Sequence, residues 1–135
     1  MSLLFDSSAI IDLCGRKGVD KLLEGWTLNL AFYEIGNAMW KQVYLYKTLT
    51  LDEGSTALEA LAEAVKRIRK IPVDDSLAIL KIAVEEGLTY YDAAYLNAAI
   101  KNEKTLVTND EKLYTVAKKH VKTMTSDELR GPDSA

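Results

Sequence analysis

Residues 89–110, TYYDAAYLNAAIKNEKTLVTND, decide how the rest of the chain is read. Their apolar spacing predicts a helix opening near Asp92, a turn over 101–104, and a short buried strand over 105–108, with Asp110 just past the strand end. Two carboxylates thereby fall at element ends. An aspartate in a helix's first turn suits the positive end of the dipole, and it is also an ordinary N-cap residue. Asp110 lies beyond the carboxyl end of a strand, where open α/β sheets build their sites. On this stretch alone, two plain helix caps account for the acids as well as a site does.

The start of the chain repeats the arrangement. Leu3, Leu4 and Phe5 predict a buried strand, Asp6 stands at its tip, and Ser7 and Ser8 lead into a helix through Ala9–Leu13. Gly15 ends that helix, a short one follows over 19–24, and the residues 26–30 alternate enough for a second strand. A long helix is expected over 31–46 with Glu34 in its first turn, where the dipole favours a glutamate in any case. Another helix opens at Thr50–Asp52 and ends in the basic run Lys66, Arg67, Arg69 and Lys70. Ile71, Pro72 and Val73 read as a brief edge strand, because proline cannot donate to a ladder. Asp74 or Asp75 caps a helix over 76–86, closed by Gly87. Beyond Asp110 come a helix to about His120 and a last strand over 121–125. Residues 1–129 thus read as one domain and 130–135 as a frayed tail. Alternating strands and helices predict an α/β fold, a small parallel sheet of four to five short strands with helices on both faces.

Composition narrows the chemistry. At 135 residues, 48% hydrophobic and 27% charged, the chain suits one soluble domain able to bury a core without staples. No apolar run is long enough for a membrane span, and Asp6 interrupts any signal-peptide core, so a cytoplasmic location is expected. The single cysteine, Cys14, excludes an internal disulfide and lies among apolar neighbours as an inert thiol would. His120 stands alone, so a zinc site or a histidine base is not expected. A net charge of −3 argues against indiscriminate nucleic-acid binding. The basic runs at 66–70 and 118–122 are most simply solvated helix ends, with a phosphate-contacting rim as the alternative.

Counted by position, Asp6 and Asp110 each follow a strand, while Glu34 and Asp92 each lie in a helix's first turn. In a parallel sheet these ends share one edge. Four carboxylates gathered there repel and raise one another's pKa unless a cation neutralises them. Oxygen-only ligands point to Mg²⁺ or Mn²⁺, which can polarise a phosphodiester and acidify a bound water.

The segments FDSSAIIDL, YEIGNAMWK, YYDAAYLNAA and LVTND, in this order and spacing, resemble the PIN-domain family, in particular its small VapC-type ribonuclease toxins. The resemblance spans nearly the whole chain. It implies a three-layer PIN-like fold, RNA hydrolysis with Mg²⁺ or Mn²⁺, and Asp6, Glu34, Asp92 and Asp110 as the metal-binding catalytic acids. It further implies that Ser8 and Thr108 support Asp6 and Asp110. One departure stands out: many members carry another acid two residues after the last aspartate, and here that place holds Lys112.

Two rival classes fit less well. A phosphoacceptor receiver domain needs an adjacent acid pair after its first strand, whereas Asp6 is followed by two serines. A noncatalytic PIN-like scaffold, binding RNA or protein through the same cleft, is the closer alternative. For RNA contact, the candidates are Lys41, Lys66, Arg67, Arg69, Lys70 and Lys112, with Tyr33, Tyr90, Tyr91 and Tyr95 available to stack on bases or to pack in the core. The family resemblance implies a cognate antitoxin. Trp40, Tyr44, Tyr46, Leu49 and Leu51 offer more large apolar side chains than one helix face needs, which predicts a homodimer surface, an antitoxin groove, or both.

Overall fold

The computed structural model describes residues 2–131. The chain begins with β1 (Leu3–Phe5), α1 (Ser7–Gly15), α2 (Val19–Leu23), β2 (Trp26–Thr27) and α3 (Leu30–Trp40). It continues through α4 (Leu51–Arg67), β3 (Arg69–Lys70), α5 (Ser76–Glu86) and α6 (Tyr90–Lys101), and closes with β4 (Thr105–Val107), α7 (Glu111–Ala117), β5 (Thr123–Met124) and α8 (Ser126–Arg130). All strand pairings are parallel, in the order β3-β2-β1-β4-β5. The chain therefore winds outward from β1 in both directions. That leaves a topological switch between β1 and β4, the place where such sheets open a crevice at their carboxyl ends.

Strand pleat sorts the core into two layers. Leu4 and Leu106 pack with Ile79, Tyr95, Leu96 and Leu113 on the face covered by α5, α6 and α7. Leu3, Phe5 and Val107 turn the other way, onto Ile10, Leu13, Ile35 and Val65 of α1, α3 and α4. β1 is buried on both faces, which is why LLF is continuously apolar rather than alternating. The expected α/β architecture with helices on both faces is what forms.

Several boundaries differ from the sequence reading, each for a local reason. β3 is Arg69–Lys70, not 71–73, because Ile68 and Ile71 sink into the two core layers and bracket the pair that bonds to β2. The long helix expected over 31–46 is α-helical only to Trp40, and its last turn, Lys41–Leu45, is π-helical. There Tyr46 N donates to Lys41 O at 2.8 Å, and Thr48 N to Gln42 O at 2.8 Å. The wider turn shifts the register, so Tyr46 leaves the buried face of α3 and is exposed. α8 has no counterpart in the sequence reading. Its signal is the capping box Thr125-x-x-Glu128, in which each side chain bonds the other's backbone N–H. Arg130, expected in a frayed tail, is instead the last residue of α8. The remainder of that expected tail, 132–135, lies outside the described residues.

The basic runs also resolve into specific contacts. Lys66 and Arg67 occupy the last turn of α4, as cations at a helix end should. Arg69 stacks over Trp26, 4.1 Å from the ring centroid, and donates to Glu24 O and Gly25 O at 2.6 and 3.3 Å. Lys70 Nζ donates to Val65 O and Ile68 O. In the second run, α7 ends at Ala117, and Lys119 and His120 both reach Glu86.

Candidate active site

Asp6 is the anchor of the switch-point crevice. Its backbone N–H extends the β1 ladder to Val107 O at 3.2 Å, and its side chain then caps α1, accepting from Ala9 N at 3.0 Å. Ser8 Oγ donates to the same carboxylate oxygen at 2.7 Å, and Thr108 Oγ1 donates to the other. The residue is 3% exposed. Burial pushes its pKa up to about 6 despite those donors, and the Asp92 charge adds to the rise.

Thr108 ties this carboxylate to the next. Its hydroxyl also accepts from Asp110 N at 3.1 Å, while Asp110 Oδ1 caps α7 through Leu113 N at 2.8 Å. Ser8 Oγ accepts from Asn109 N at 2.9 Å, so the β1 and β4 ends are fastened to each other by side-chain hydroxyls. Asn109 reaches onward to α8, donating to Ser126 Oγ at 2.7 Å and accepting from Ser126 N at 3.0 Å. The unexpected helix therefore braces the loop that carries Asp110.

Glu34 and Asp92 come from opposite faces of the sheet. Glu34, on α3, accepts a hydrogen bond from Tyr95 at 2.9 Å, and burial together with the Asp6 and Asp92 charges raises its pKa. Asp92 is not the cap of α6. Thr89 is, accepting from Asp92 N at 3.1 Å, which releases the aspartate from capping duty. Burial and the Asp110 charge raise the Asp92 pKa, while Lys112 opposes the rise. Lys112 thus offsets part of the local negative charge.

The four predicted acids are brought within one another's fields: Asp6 and Glu34 each feel Asp92, and Asp92 feels Asp110. Three of them hold protons more tightly than ordinary carboxyls do. Among the described residues, no three acidic, histidine or cysteine side chains already form a shell around one point. The donors available are all oxygens, which suits a hard divalent cation, and such a cation would relieve the repulsion.

Of the tyrosines available to stack on bases or to pack in the core, Tyr33, Tyr90 and Tyr91 stay exposed and Tyr95 packs inside. It is 1% exposed, and its hydroxyl is held protonated far above the usual tyrosine range by burial and by the Glu34 charge. Its position three residues after Asp92, on the same helix, was the available signal. Ser7, Asn37 and Lys41 line an open cleft of about 640 Å³ beside Glu34, with Tyr33 and Tyr91. Ser7 and Asn37 were missed, although Glu34, Asn37 and Lys41 recur at helical spacing. Lys66, Arg67, Arg69 and Lys70 are not among the residues lining it.

Comparison with known proteins agrees with this geometry. The PIN domain family matches residues 3–119. Two proteins of Pyrobaculum aerophilum are each 35% identical to the chain. One, named Exonuclease VapC9, aligns over 85% of this chain and 85% of its own length; the other, named Ribonuclease VapC3, over 84% and 92%. The crystal structure of PAE2754 from Pyrobaculum aerophilum superposes with a TM-score of 0.81 at 28% identity, covering 96% of this chain and 86% of that one. By sequence match, chain-wide identity and superposition, the chain belongs to the PIN-domain family and to its VapC-type members.

Proposed function

We propose that the chain is a divalent-metal-dependent endoribonuclease, the toxin of a toxin–antitoxin pair, in which Asp6, Glu34, Asp92 and Asp110 hold the metal. The observation that carries this reading is the set of four carboxylates gathered at the β1/β4 switch point, three of them with pKa values raised by burial and further by neighbouring acids. PIN domains are metal-dependent nucleases, and the all-oxygen donor set favours Mg²⁺ or Mn²⁺ as the ion. One relative's name specifies ribonuclease, which supports RNA as the substrate.

When bound, the metal supplies charge neutralisation at the scissile phosphate and an acidified water. The chain's residues supply the rest. Asp6, fixed by Ala9, Ser8 and Thr108, presents a carboxylate that does not swing when substrate arrives. Tyr95 restrains Glu34 in the same way. Asp92, half-buried in the first turn of α6 and released from capping by Thr89, would hold the metal from the sheet face opposite Glu34. Lys41, lining the cleft, and Lys112, beside Asp92, supply positive charge for the RNA backbone.

Among the described residues no helix is long and apolar enough to cross a membrane, in keeping with action in the cytoplasm. The antitoxin is assigned to a second, apolar groove of about 250 Å³ between α3 and α4, where Met39, Trp40, Tyr44, Leu51 and Leu58 gather. Trp40 and Tyr44 stack at 5.5 Å there and remain half or more exposed. A homodimer would extend this groove across two subunits.

A circular RNA, which has no ends, tests the central claim. Mn²⁺-dependent opening of the circle by the wild-type chain, lost in Asp92→Asn, is expected. No opening, with linear RNA degraded, would make the enzyme an exonuclease; RNA bound but left uncut in every form would leave a noncatalytic scaffold. Coexpression with the neighbouring reading frame, followed by copurification and inhibition of cleavage, tests the antitoxin.

A further inference from the structure

Asp6 and Asp110 stand at the ends of neighbouring strands, and the hydrogen bonds that fix them join into a closed ring. Asp6 already accepts three bonds, from Ala9 N and Ser8 Oγ on one oxygen and from Thr108 Oγ1 on the other. A carboxylate offers about four lone pairs, so about one is left for a cation. Asp110 uses part of its own capacity on Leu113 N, at 2.8 Å. Neither group is set to grip one ion with both oxygens. The ring then runs outward through Asn109, between Thr108 and Asp110 in the loop. Its backbone N–H donates to Ser8 Oγ at 2.9 Å, and its amide exchanges two bonds with Ser126, at 2.7 and 3.0 Å. Ser126 Oγ in turn donates to Asp12 Oδ2 at 2.5 Å. Asp12 lies on α1, the helix that Asp6 caps, so the ring closes through a single rigid element. Arg16, at the end of α1, donates to Asp12 at 3.1 Å and reaches Asp127 of α8 as well. Ser126 is 1% exposed and Thr108 wholly buried, which shields the inner bonds of the ring from water.

We propose that the bridge from Asp12 through Ser126 to Asn109 is a positioning device that keeps the metal site tight, so that it admits a Mg²⁺-sized cation and discriminates against Ca²⁺. The proposal rests on the metal-dependent nuclease reading and deepens it by naming what selects the ion. Mg²⁺ takes one or two carboxylates at about 2.0–2.1 Å in near-ideal octahedral geometry and keeps several waters. Ca²⁺ takes about six to eight oxygens at about 2.3–2.6 Å, often with carboxylates that give both of theirs. An Asp6 with about one lone pair open suits the first ion and under-supplies the second. Asn109 acts through its two neighbours in the ring. Without its side chain, the loop carrying Asp110 loses its hold on α8 and α1, Asp110 gains freedom to swing, and the N–H that engages Ser8 drifts from its partner. The site then widens towards the larger ion.

The test is a competition read without RNA. Free Mn²⁺ is followed by electron paramagnetic resonance while Mg²⁺ or Ca²⁺ is added to the full chain, and melting curves report the folded fraction of each variant. The wild type should prefer Mg²⁺ to Ca²⁺ by at least about ten-fold. Asn109→Ala should cut that preference by about ten-fold, chiefly through weaker Mg²⁺ binding, in the range of losses when a ligand's supporting partner is removed. Ser126→Ala, which breaks the bridge from the α8 side, should do the same. Asp12→Asn keeps an acceptor for the Ser126 hydroxyl and should stay within about two-fold of the wild type. Arg69→Ala, at the β3 edge, controls for stability: it should melt earlier and leave the preference alone. Asn109 and Ser126 variants that keep the wild-type preference would overturn the proposal and leave the nuclease standing. A wild type that binds both ions equally would overturn it too. A wild type whose preference falls in Asn109→Ala, yet which cuts no RNA with Mg²⁺ or Mn²⁺, would uphold the ion selector and sink the nuclease.

Discussion

The molecule carries two dense clusters of charge, and they behave in opposite ways. At the β1/β4 switch, burial first and then the charges of neighbouring acids raise the pKa values of Asp6, Glu34 and Asp92, and their hydrogen bonds only partly offset the rise. At the β3 edge, Arg69 and Lys70 each donate two hydrogen bonds to backbone carbonyls, and Arg69 also lies over the face of Trp26. One cluster is left wanting a cation; the other is already satisfied by the fold. Charge density in a sequence therefore says little about function until the partners of each charge are known. Raised carboxylate pKa values mark the unsatisfied cluster as the better site candidate.

The sharpest break in this contrast should come from removing one acid. Asp92→Asn is expected to cut Mn²⁺-dependent RNA cleavage by at least about a hundred-fold while circular dichroism stays unchanged. Full activity in that variant would remove Asp92 from the catalytic set. The same substitution logic at the β3 edge, where charge is structural, should leave the rate per folded molecule alone.

Stability should respond in the reverse sense at the anchor acid. Asp6 has its pKa raised from 3.8 to about 6 in the folded chain. Between those values the folded state keeps a proton that the unfolded chain releases, so this group's contribution to stability falls as pH rises from about 4 to 6 and then levels off. At 1.36 kcal/mol per unit, the cost at pH 7 is about 3 kcal/mol. Asp6→Asn should recover up to about that amount in metal-free buffer at pH 7 and flatten the pH profile of urea unfolding between pH 4 and 6. A variant less stable than the wild type at pH 7 would show that the hydrogen bonds to Ala9, Ser8 and Thr108 outweigh the burial of charge.

How far these clusters were legible beforehand follows from what each depends on. The placement of the four acids at one end of the sheet was legible because strand ends and helix starts are local, and because the family motifs cover all four positions. β1 and β4 were legible as unbroken apolar runs. The fate of Arg69 and Lys70 was not, since it depends on Ile68 and Ile71 taking opposite core layers, a tertiary fact. Tyr95 lay in plain sight three residues past Asp92. Its partner Glu34, however, is sixty-one positions away, and only the packed fold joins them.

That join gives the next prediction. Tyr95→Phe removes one hydroxyl and leaves the ring in the core, so Glu34 loses the donor that fixes it. Mn²⁺ affinity by calorimetry should fall by about ten-fold, in the range of losses when a ligand's supporting partner is removed. An unchanged affinity would mean that Ser7 alone positions Glu34, because its hydroxyl also lowers the Glu34 pKa.

At the satisfied cluster, Arg69→Ala should cost about 1–2 kcal/mol of stability through the lost stacking on Trp26 and the two carbonyl bonds. RNA affinity should stay within about two-fold of the wild type. A steep loss of RNA binding without a loss of stability would return Arg69 to the list of phosphate contacts and erase the contrast between the two clusters.

The smallest expected effect lies at α8, the element farthest from the sequence reading. Thr125 caps it and shares a capping box with Glu128, and Thr125→Ala should cost about 1 kcal/mol, or roughly 3 °C in the melting temperature. The consequence of interest is not the melting point. α8 begins at Ser126, which Asn109 grips from the loop carrying Asp110, and Ser126 Oγ also bonds Asp12 on α1 at 2.5 Å. A frayed α8 should therefore loosen the Asp110 loop before it loosens the sheet. Amide exchange at Asn109 and Asp110 should accelerate in Thr125→Ala while exchange at Leu4 and Leu106 keeps its wild-type rate. Uniform acceleration across all four positions would show that α8 supports the fold as a whole and gives the site no particular brace.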